Sequence, residues 1–292
     1  MVVLRIFPNQ KIYQPGDMLR GVLVLKTRKP IECNRVVLSF QGKEKTTRQA
    51  GDIRLEEEHY WFKTDLILHD GGTIPEGSTR LPFAIHLSKG IPPTFGSPAG
   101  NITYSIKAVM EVSWRPDPKK TWTFAVIPEP LRYIPESQDH EAQIRKSGPL
   151  YLDLPSNVVR PEGLPFSMRV DQTKRVTELR VLLRRRESFE CQGSTTKIET
   201  TEKEMCVPVR VDDFGRWKEY SLPKHIKVNA PFRGRLIRRE YYLRVELGVS
   251  LARDPVIEVP VLISAADSRE TISEEQSMFE LLDDIAHDLE LE

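Results

Sequence analysis

Two arginine clusters are the residues of this sequence whose type and spacing suit ligand recognition. Arg184, Arg185 and Arg186 follow an apolar run at 181–183, and four more arginines fall within seven residues: Arg233, Arg235, Arg238 and Arg239. A guanidinium can hold a carboxylate or phosphate through two parallel hydrogen bonds, so both clusters are candidate sites for an acidic peptide, a phosphate or an anionic headgroup. The alternative is an ordinary solvated surface on which cross-strand glutamates, such as Glu187 and Glu240, pair with the arginines. Neither cluster is interleaved with aromatic residues, and we therefore expect no nucleic-acid partner.

Catalytic chemistry has no comparable pattern. The sequence contains no His-Glu-x-x-His, no Gly-x-Ser-x-Gly, no Walker loop and no Gly-x-Gly-x-x-Gly. The six histidines are dispersed, and the three cysteines, Cys33, Cys191 and Cys206, are too scattered for a zinc site or a disulfide framework. We expect no catalytic residues, no metal and no cofactor, and a protein that is not an enzyme.

Composition narrows the class of protein. The 292 residues are 39% hydrophobic and 29% charged, with 43 Lys+Arg against 42 Asp+Glu and a formal net charge of +1. These values are typical of a globular protein rather than a disordered or fibrous one. No stretch approaches 18 consecutive apolar residues, and the amino terminus does not read as a secretory leader. We expect a cytoplasmic protein whose membrane contact is at most peripheral.

Short β-rich runs separated by turn residues must position the arginines. They lie at 2–7, 19–25, 35–40, 102–112, 122–127, 179–183, 241–249 and 256–263. This spacing predicts an all-β protein built from sandwiches or barrels. The polar, proline-flanked segment 128–149 is typical of a connector. We therefore expect a first sandwich at 1–127, a linker at 128–149, a second sandwich at 150–264 and a tail at 265–292.

The two predicted sandwiches repeat one another. Phe95 and Ser113 are 18 residues apart, as are Phe232 and Ser250, and each pair encloses an alternating strand in which Tyr104 and Tyr241 hold the same register. Residues 37–44 and 180–187 form a second similar pair of strands. Several such matches in one order favour two copies of one β-sandwich, each burying its alternating apolar face.

The carboxy-terminal tail differs from the rest of the chain. Residues 265–292 hold ten acidic residues and one basic residue, and a capping pattern at Ser277–Glu280 precedes an apolar helical stripe. The candidate partner-binding residues of this amphipathic helix are Met278, Phe279, Leu281, Leu282, Ile285 and Leu289. Three alternatives stay open: the helix docks on the body of its own chain, binds another protein in a groove, or frays as a solvated tail.

The order of several segments resembles the arrestin superfamily. In the first predicted sandwich these are YQPGD at 13–17, GVLVL at 21–25, FQG at 40–42, GSTRLPF at 77–83 leading into LSKGIPPTF at 87–95, and ITY at 102–104. The resemblance covers most of residues 1–127 and, more weakly, 150–264. It implies two tandem arrestin-like sandwiches of the helix-poor branches, which include the arrestin-domain trafficking proteins, the arrestin-fold retromer subunit and bacterial sporulation-control proteins.

The same resemblance implies a function. Members of the family are non-catalytic adaptors and scaffolds, so it predicts protein binding and protein transport, with membrane-protein tails among the partners. It places the polar segment 43–52, interpreted as an exposed hairpin loop, where arrestins have a receptor-probing loop. It also favours a regulatory carboxy-terminal tail. The alternative is a bacterial-type regulatory or stress protein of the same fold, acting through self-assembly or by binding anionic surfaces.

Overall fold

The protein is built almost entirely from β-strands. The computed structural model describes residues 2–128, 144–160, 163–171, 176–223, 228–250 and 253–263. Within these ranges the chain forms 21 strands, and its one helical element is a single 3₁₀ turn at Val211–Asp213. The predicted all-β class is confirmed. The acidic tail and its candidate helix residues lie outside the described residues.

The chain divides into two compact units whose members are not contiguous in sequence. Unit 1 comprises Met1–Glu129 together with Glu187–Lys197 and Phe232–Arg238. Unit 2 comprises Pro130–Arg186, Ile198–Pro231 and Arg239–Glu292. The predicted boundaries at 127, 149 and 264 stay a prediction.

The first half of the chain contributes eleven strands to unit 1. They are β1 Val2–Pro8, β2 Ile12–Tyr13, β3 Met18–Thr27, β4 Ile31–Cys33, β5 Arg35–Ala50, β6 Ile53–His69, β7 Gly72–Ile74, β8 Gly77–His86, β9 Phe95–Ser97, β10 Gly100–Glu111 and β11 Lys119–Val126. One sheet has the order β1-β3-β8, and the larger one has the order β2-β11-β10-β5-β6 with β9 paired to β10. A small pair, β4-β7, completes the set.

Ten further strands follow. They are β12 Arg145–Ser147, β13 Leu150–Asp153, β14 Val158–Val159, β15 Leu164–Val170, β16 Val176–Cys191, β17 Ser194–Val207, β18 Lys218–Leu222, β19 Phe232–Arg233, β20 Ile237–Val249 and β21 Val256–Ile263. Their sheets have the orders β12-β13-β15-β18 and β14-β21-β20-β16-β17, with β19 paired to β20. Gln192 and Gly193, both with positive φ, form the two-residue turn between β16 and β17, as the twist of a tight hairpin requires.

The repeat detected in the sequence is a repeat of topology. β2 runs parallel to β11 in the first copy, and β14 runs parallel to β21 in the second. The Tyr104 hydroxyl donates to the Pro92 carbonyl at 2.6 Å, and the Tyr241 hydroxyl donates to the Asn229 carbonyl at 2.7 Å, each bond reaching back twelve residues. The prediction of two tandem arrestin-like sandwiches is therefore confirmed.

Strand β5 corrects one prediction. Residues 43–52 were expected to form an exposed loop, but β5 continues to Ala50 and the turn is confined to Gly51 and Asp52. Every second residue from Val36 to Thr46 is buried, so the alternation typical of a sandwich strand persists through the polar segment. The pattern was hidden because one of the buried positions holds a glutamate, Glu44.

Candidate functional site: the arginine loop and its buried carboxylate

The second arginine cluster begins in a loop that belongs to unit 1. This arginine loop, Phe232–Arg238, lies against the core-facing side of β5. Its Leu236 and Ile237 are buried within the core of unit 1, at 7% and 1% exposure. Phe232 packs against Phe95 with ring centroids 5.3 Å apart. Apolar contacts therefore fix both ends of the loop.

Glu44 holds the backbone of the arginine loop. Its side chain is completely buried, and its two carboxylate oxygens accept hydrogen bonds from the backbone N–H groups of Arg235 at 2.9 Å, Leu236 at 3.0 Å and Ile237 at 2.6 Å. The indole Nε1 of Trp61 donates a fourth bond at 3.1 Å. Hydrogen bonds to a charged acceptor are among the stronger ones in proteins, and four of them offset the cost of burying the carboxylate.

A glycine makes this arrangement sterically feasible. A Cβ atom at Gly234 would lie 2.3 Å from the Oε1 atom of Glu44 and 2.8 Å from the Ile237 carbonyl oxygen. Real Cβ atoms do not approach other atoms so closely, so the loop reaches the carboxylate only because residue 234 has no side chain. The Gly234 N–H also donates to the Ile237 carbonyl at 2.7 Å, which closes a tight turn.

The end of β16 adds a second attachment to the same strand. The buried hydroxyl of Thr46 donates to the Glu190 carbonyl at 2.6 Å, and the Glu190 N–H donates to the Leu236 carbonyl at 2.8 Å. The backbone N–H of Gln192 donates to the Glu57 carboxylate on β6. Strand β5, the tip of β16 and the arginine loop are thus joined through main-chain groups.

The buried phenol beside Glu44 stays protonated. Burial raises the pKa of Tyr104 well above its ordinary value of 10.0, and the Glu44 carboxylate raises it further. The neutral hydroxyl can therefore keep donating its hydrogen bond to Pro92 across the whole physiological pH range. The geometry around the buried Tyr104 hydroxyl is that of a structural support.

The side chains of the arginine loop differ in their surroundings. Arg233 and Arg235 are exposed, and neither forms an ion pair with any residue that the structure describes. Arg238 and Arg239 are only half-exposed and do make contacts of their own. The loop therefore presents two available guanidinium groups, two residues apart, on a backbone that Glu44 fixes.

The first cluster lies in unit 2, where glutamates from neighbouring strands surround it. Arg184 Nη2 is 2.8 Å from a Glu199 oxygen, and Arg186 contacts Glu199 at 2.7 Å and Glu258 at 2.8 Å. The remaining member, Arg185, lies 3.0 Å from Glu202. An external anion would compete with these carboxylates, and a role of Arg184, Arg185 and Arg186 in anion binding stays a prediction. Of the second cluster, Arg233, Arg235 and Arg238 lie in unit 1, whereas Arg239 lies in unit 2, which also holds Arg184, Arg185 and Arg186.

Other site chemistry is sparse in the part of the chain that the structure describes. It holds no group of three or more His, Cys, Asp or Glu residues arranged to bind a metal ion. The same residues form no helix that is long and apolar enough to span a membrane. Cys33 and Cys191 are buried thiols, whereas Cys206 is exposed on β17.

Sequence reasoning located the arginine loop but missed Glu44. The alternation of β5 carried the signal, because a charged residue at a core-facing position of a strand requires buried partners. The identity of those partners had no signal in the sequence, since Arg235, Leu236 and Ile237 donate through backbone groups that every non-proline residue shares.

Comparison with known proteins points to one family. Residues 4–130 match the family model described as Arrestin (or S-antigen), N-terminal domain. The chain is 23% identical over 271 residues to arrestin domain-containing protein 1 of Homo sapiens, an alignment that covers 86% of this chain and 61% of the human protein. It is 26% identical over 135 residues to arrestin domain-containing protein 1 of Rattus norvegicus, covering 46% of this chain and 31% of the rat protein.

A more distant relative matches over a similar range. Arrestin domain-containing protein A of Dictyostelium discoideum is 22% identical over 299 residues, covering 88% of this chain and 50% of that protein. The chain thus spans between about one third and three fifths of the length of these relatives.

Proposed function

The chain belongs to the arrestin superfamily, and we propose that it is a non-catalytic adaptor that binds other proteins. Its partners would carry acidic segments, including the tails of membrane proteins, and its role would be in cytoplasmic protein transport. The observation that carries the proposal is the pair of exposed guanidinium groups of Arg233 and Arg235 on a loop whose backbone is fixed by Glu44.

Preorganisation is the physical reason for choosing this loop. A binding loop that is already ordered loses little conformational entropy when a partner binds, so more of the interaction energy appears as affinity. Arginine pairs with carboxylates and phosphates through a planar fork that a lysine lacks. Among the described strands, β6 and β17 lie at the ends of their sheets, where an extended partner segment could form additional strand pairs with their backbone groups.

We propose in addition that the acidic tail controls or provides one partner contact. The hypothesis rests on its charge, since residues 265–292 hold ten acidic residues against a single Arg269. A tethered acidic segment is present at high effective concentration and would compete with acidic partners for basic surfaces of the chain.

Fluorescence anisotropy with defined peptides tests the adaptor proposal. The probes are a labelled peptide rich in glutamate, its phosphoserine counterpart and a neutral peptide rich in glutamine, each titrated with the full chain. We expect the acidic peptides to bind more tightly than the neutral one, and the double variant R233E/R235E to lose at least about tenfold in affinity.

A matched variant separates the loop from net charge. R210E/R216E makes the same charge change at two exposed arginines of unit 2. Equal losses in both double variants, or equal binding of acidic and neutral peptides, would refute a binding role for the arginine loop.

A further inference from the structure

A second basic surface lies on the outer face of the sheet β1-β3-β8 in unit 1. Alternate residues of these strands point away from the core. Four of the outward side chains are exposed cations: Arg5, Arg20, Lys26 and Arg80. We call these four cations and the apolar side chains between them the basic face.

Strand register arranges the basic face in rows. Arg5 on β1 pairs with Val24 on β3, which pairs with Arg80 on β8. In the adjacent row Phe7 pairs with Val22, which pairs with Pro82. With strands about 4.8 Å apart and about 3.4 Å per residue, the cations span roughly 10 by 20 Å around an apolar centre. Phe7 is 51% exposed at that centre.

Among the residues that the structure describes, no carboxylate neutralises the cations of the basic face. The strands β1, β3 and β8 contain no aspartate or glutamate. None of the four cations forms an ion pair with a residue in the described ranges. Two lysines of β5 are paired instead, since Lys43 contacts Glu58 at 3.1 Å and Lys45 contacts Glu56 at 2.7 Å. The basic face therefore carries four unpaired cations, among the described residues, on one side of one sheet.

We propose that the basic face binds the anionic surface of a phospholipid bilayer. A sheet face with dispersed cations suits an extended anionic surface, because each guanidinium or ammonium can reach a separate headgroup phosphate. The exposed ring of Phe7 would enter the boundary between headgroups and acyl chains, adding apolar burial to the electrostatic attraction. A second copy of the same face is excluded as the occupant, since four cations would meet four cations. The proposal is independent of the arginine loop.

Vesicle co-sedimentation with the full chain tests the basic face. The probes are vesicles of phosphatidylcholine alone and vesicles in which about one third of the lipid is phosphatidylserine. We expect the chain to pellet with the anionic vesicles and not with the neutral ones. Raising the salt concentration from about 0.1 M to about 1 M shortens the Debye length from about 10 Å to about 3 Å and should release most of the bound protein.

Four variants separate the effect of the basic face from that of net charge and from that of the arginine loop. R5E/R80E should weaken binding by at least about 25-fold, which is about fivefold for each arginine removed. F7S should weaken it by about tenfold without changing the salt dependence. K119E/K120E, with the same change in net charge at exposed lysines of β11, and R233E/R235E should each change binding by less than about threefold. Circular dichroism and thermal unfolding would show that each variant is folded.

Several outcomes would overturn the proposal. These are equal pelleting with neutral and anionic vesicles, no binding to either, and equal losses in R5E/R80E and K119E/K120E. If R5E/R80E bound vesicles normally but lost affinity for the glutamate-rich peptide, the face would be a protein-binding surface and the lipid assignment would be wrong.

Discussion

At the scale of single residues, Glu44 shows how a buried charge can be stabilised by neutral donors. Three peptide N–H groups and one indole N–H surround its carboxylate. Each donor would be left without a partner in a dry environment if the acceptor were removed, and an unpaired buried polar group is costly. The residue therefore determines whether the arginine loop has one conformation or many.

Replacing Glu44 by glutamine tests this role. E44Q keeps the side-chain volume, but its terminal NH₂ group would face N–H donors and cannot accept hydrogen bonds from them. We expect the free energy of unfolding to fall by about 2–4 kcal/mol and amide exchange to accelerate at residues 235–237. E58Q, at a partly exposed ion pair on the adjacent strand, should cost less than about 1 kcal/mol. Urea denaturation and hydrogen exchange measure both effects, and equal losses in the two variants would contradict the assigned role.

Gly234 offers a second test at the same scale. In G234A the new methyl group would meet the Glu44 carboxylate, so we expect a loss of about 1–3 kcal/mol in stability from overpacking. G96A is the control, because a Cβ atom at Gly96 meets nothing within 4 Å. That variant should stay within about 0.5 kcal/mol of the parent or gain slightly through its less flexible unfolded state. Thermal unfolding compares the two, and a neutral G234A would show that the loop can move away from Glu44.

At the scale of strands, the sequence predicted most of the fold because the apolar alternation of its main strands is clear. Tyr104 and Tyr241 were aligned by pattern alone, and each donates its hydroxyl to a carbonyl twelve residues earlier. The exception was the second half of β5, where polar residues at 43–50 conceal a strand. The inward side chains in this half of β5 are covered by segments that are distant in sequence. The periodicity of one segment does not indicate which distant segment will cover it.

The outer face of unit 2 shows how strands neutralise the first arginine cluster. Arg186 joins Glu199 on β17 to Glu258 on β21, and its guanidinium carbon lies 4.3 Å from the centre of the Tyr242 ring on β20. The Arg186 hydrogen bond holds the pKa of Glu199 below its ordinary value of 4.5, against an opposing effect of burial. Arginines spaced for anion recognition in the sequence are therefore cross-strand ties in the folded sheet.

The lowered pKa of Glu199 predicts how stability depends on pH. The pKa of this carboxyl is lower in the folded protein than in the unfolded chain. The ionised carboxyl therefore stabilises the folded protein above pH 4.5, and this stabilisation is lost as pH falls through the folded pKa. Because the Glu199 side chain is 31% exposed, we expect it to contribute less than about 1 kcal/mol to the free energy of unfolding. E199Q should be less stable than the parent at pH 7. Between about pH 5 and pH 2, the variant should lose less stability than the parent does. Urea midpoints against pH measure this, with E219Q as the exposed control on β18. The prediction would be contradicted if the stability of E199Q and that of the parent fell equally as the pH is lowered.

At the scale of the whole molecule, the formal net charge of +1 conceals an uneven distribution. Acidic residues are concentrated in the tail, while Arg233 and Arg235 of the arginine loop and the four cations of the basic face form no ion pair with a described carboxylate. A charge total describes solubility and long-range attraction, but a partner meets one surface at a time. Composition therefore could not reveal either basic surface. The spacing of arginines in the sequence located the arginine loop, and strand register assembled the basic face.

Deleting residues 273–292 tests the regulatory tail. The deletion removes eight carboxylates and no lysine or arginine, so the formal net charge rises from +1 to +9. If the tail competes with acidic partners, affinity for the glutamate-rich peptide should rise by about threefold or more at low salt and by less at about 1 M salt. Anisotropy titrations with the full and shortened chains measure the change. Unchanged affinity together with unchanged thermal stability would remove the tail from the proposed mechanism.

The composition of unit 1 has a consequence for the order of events during synthesis. Glu44 and Ile237 are 193 residues apart in sequence, yet the carboxylate and its backbone donors form one buried cluster. At roughly 5–20 residues per second, a ribosome needs on the order of 10–40 s to deliver the donors after the acceptor has emerged. During that interval the carboxylate of Glu44 on β5 lacks the backbone donors of the arginine loop and stays hydrated. Pairing groups that are so far apart in sequence is slow. Substitutions in the arginine loop should slow this step further, so that the amino-terminal sandwich is completed later and stays exposed to chaperones and proteases for longer.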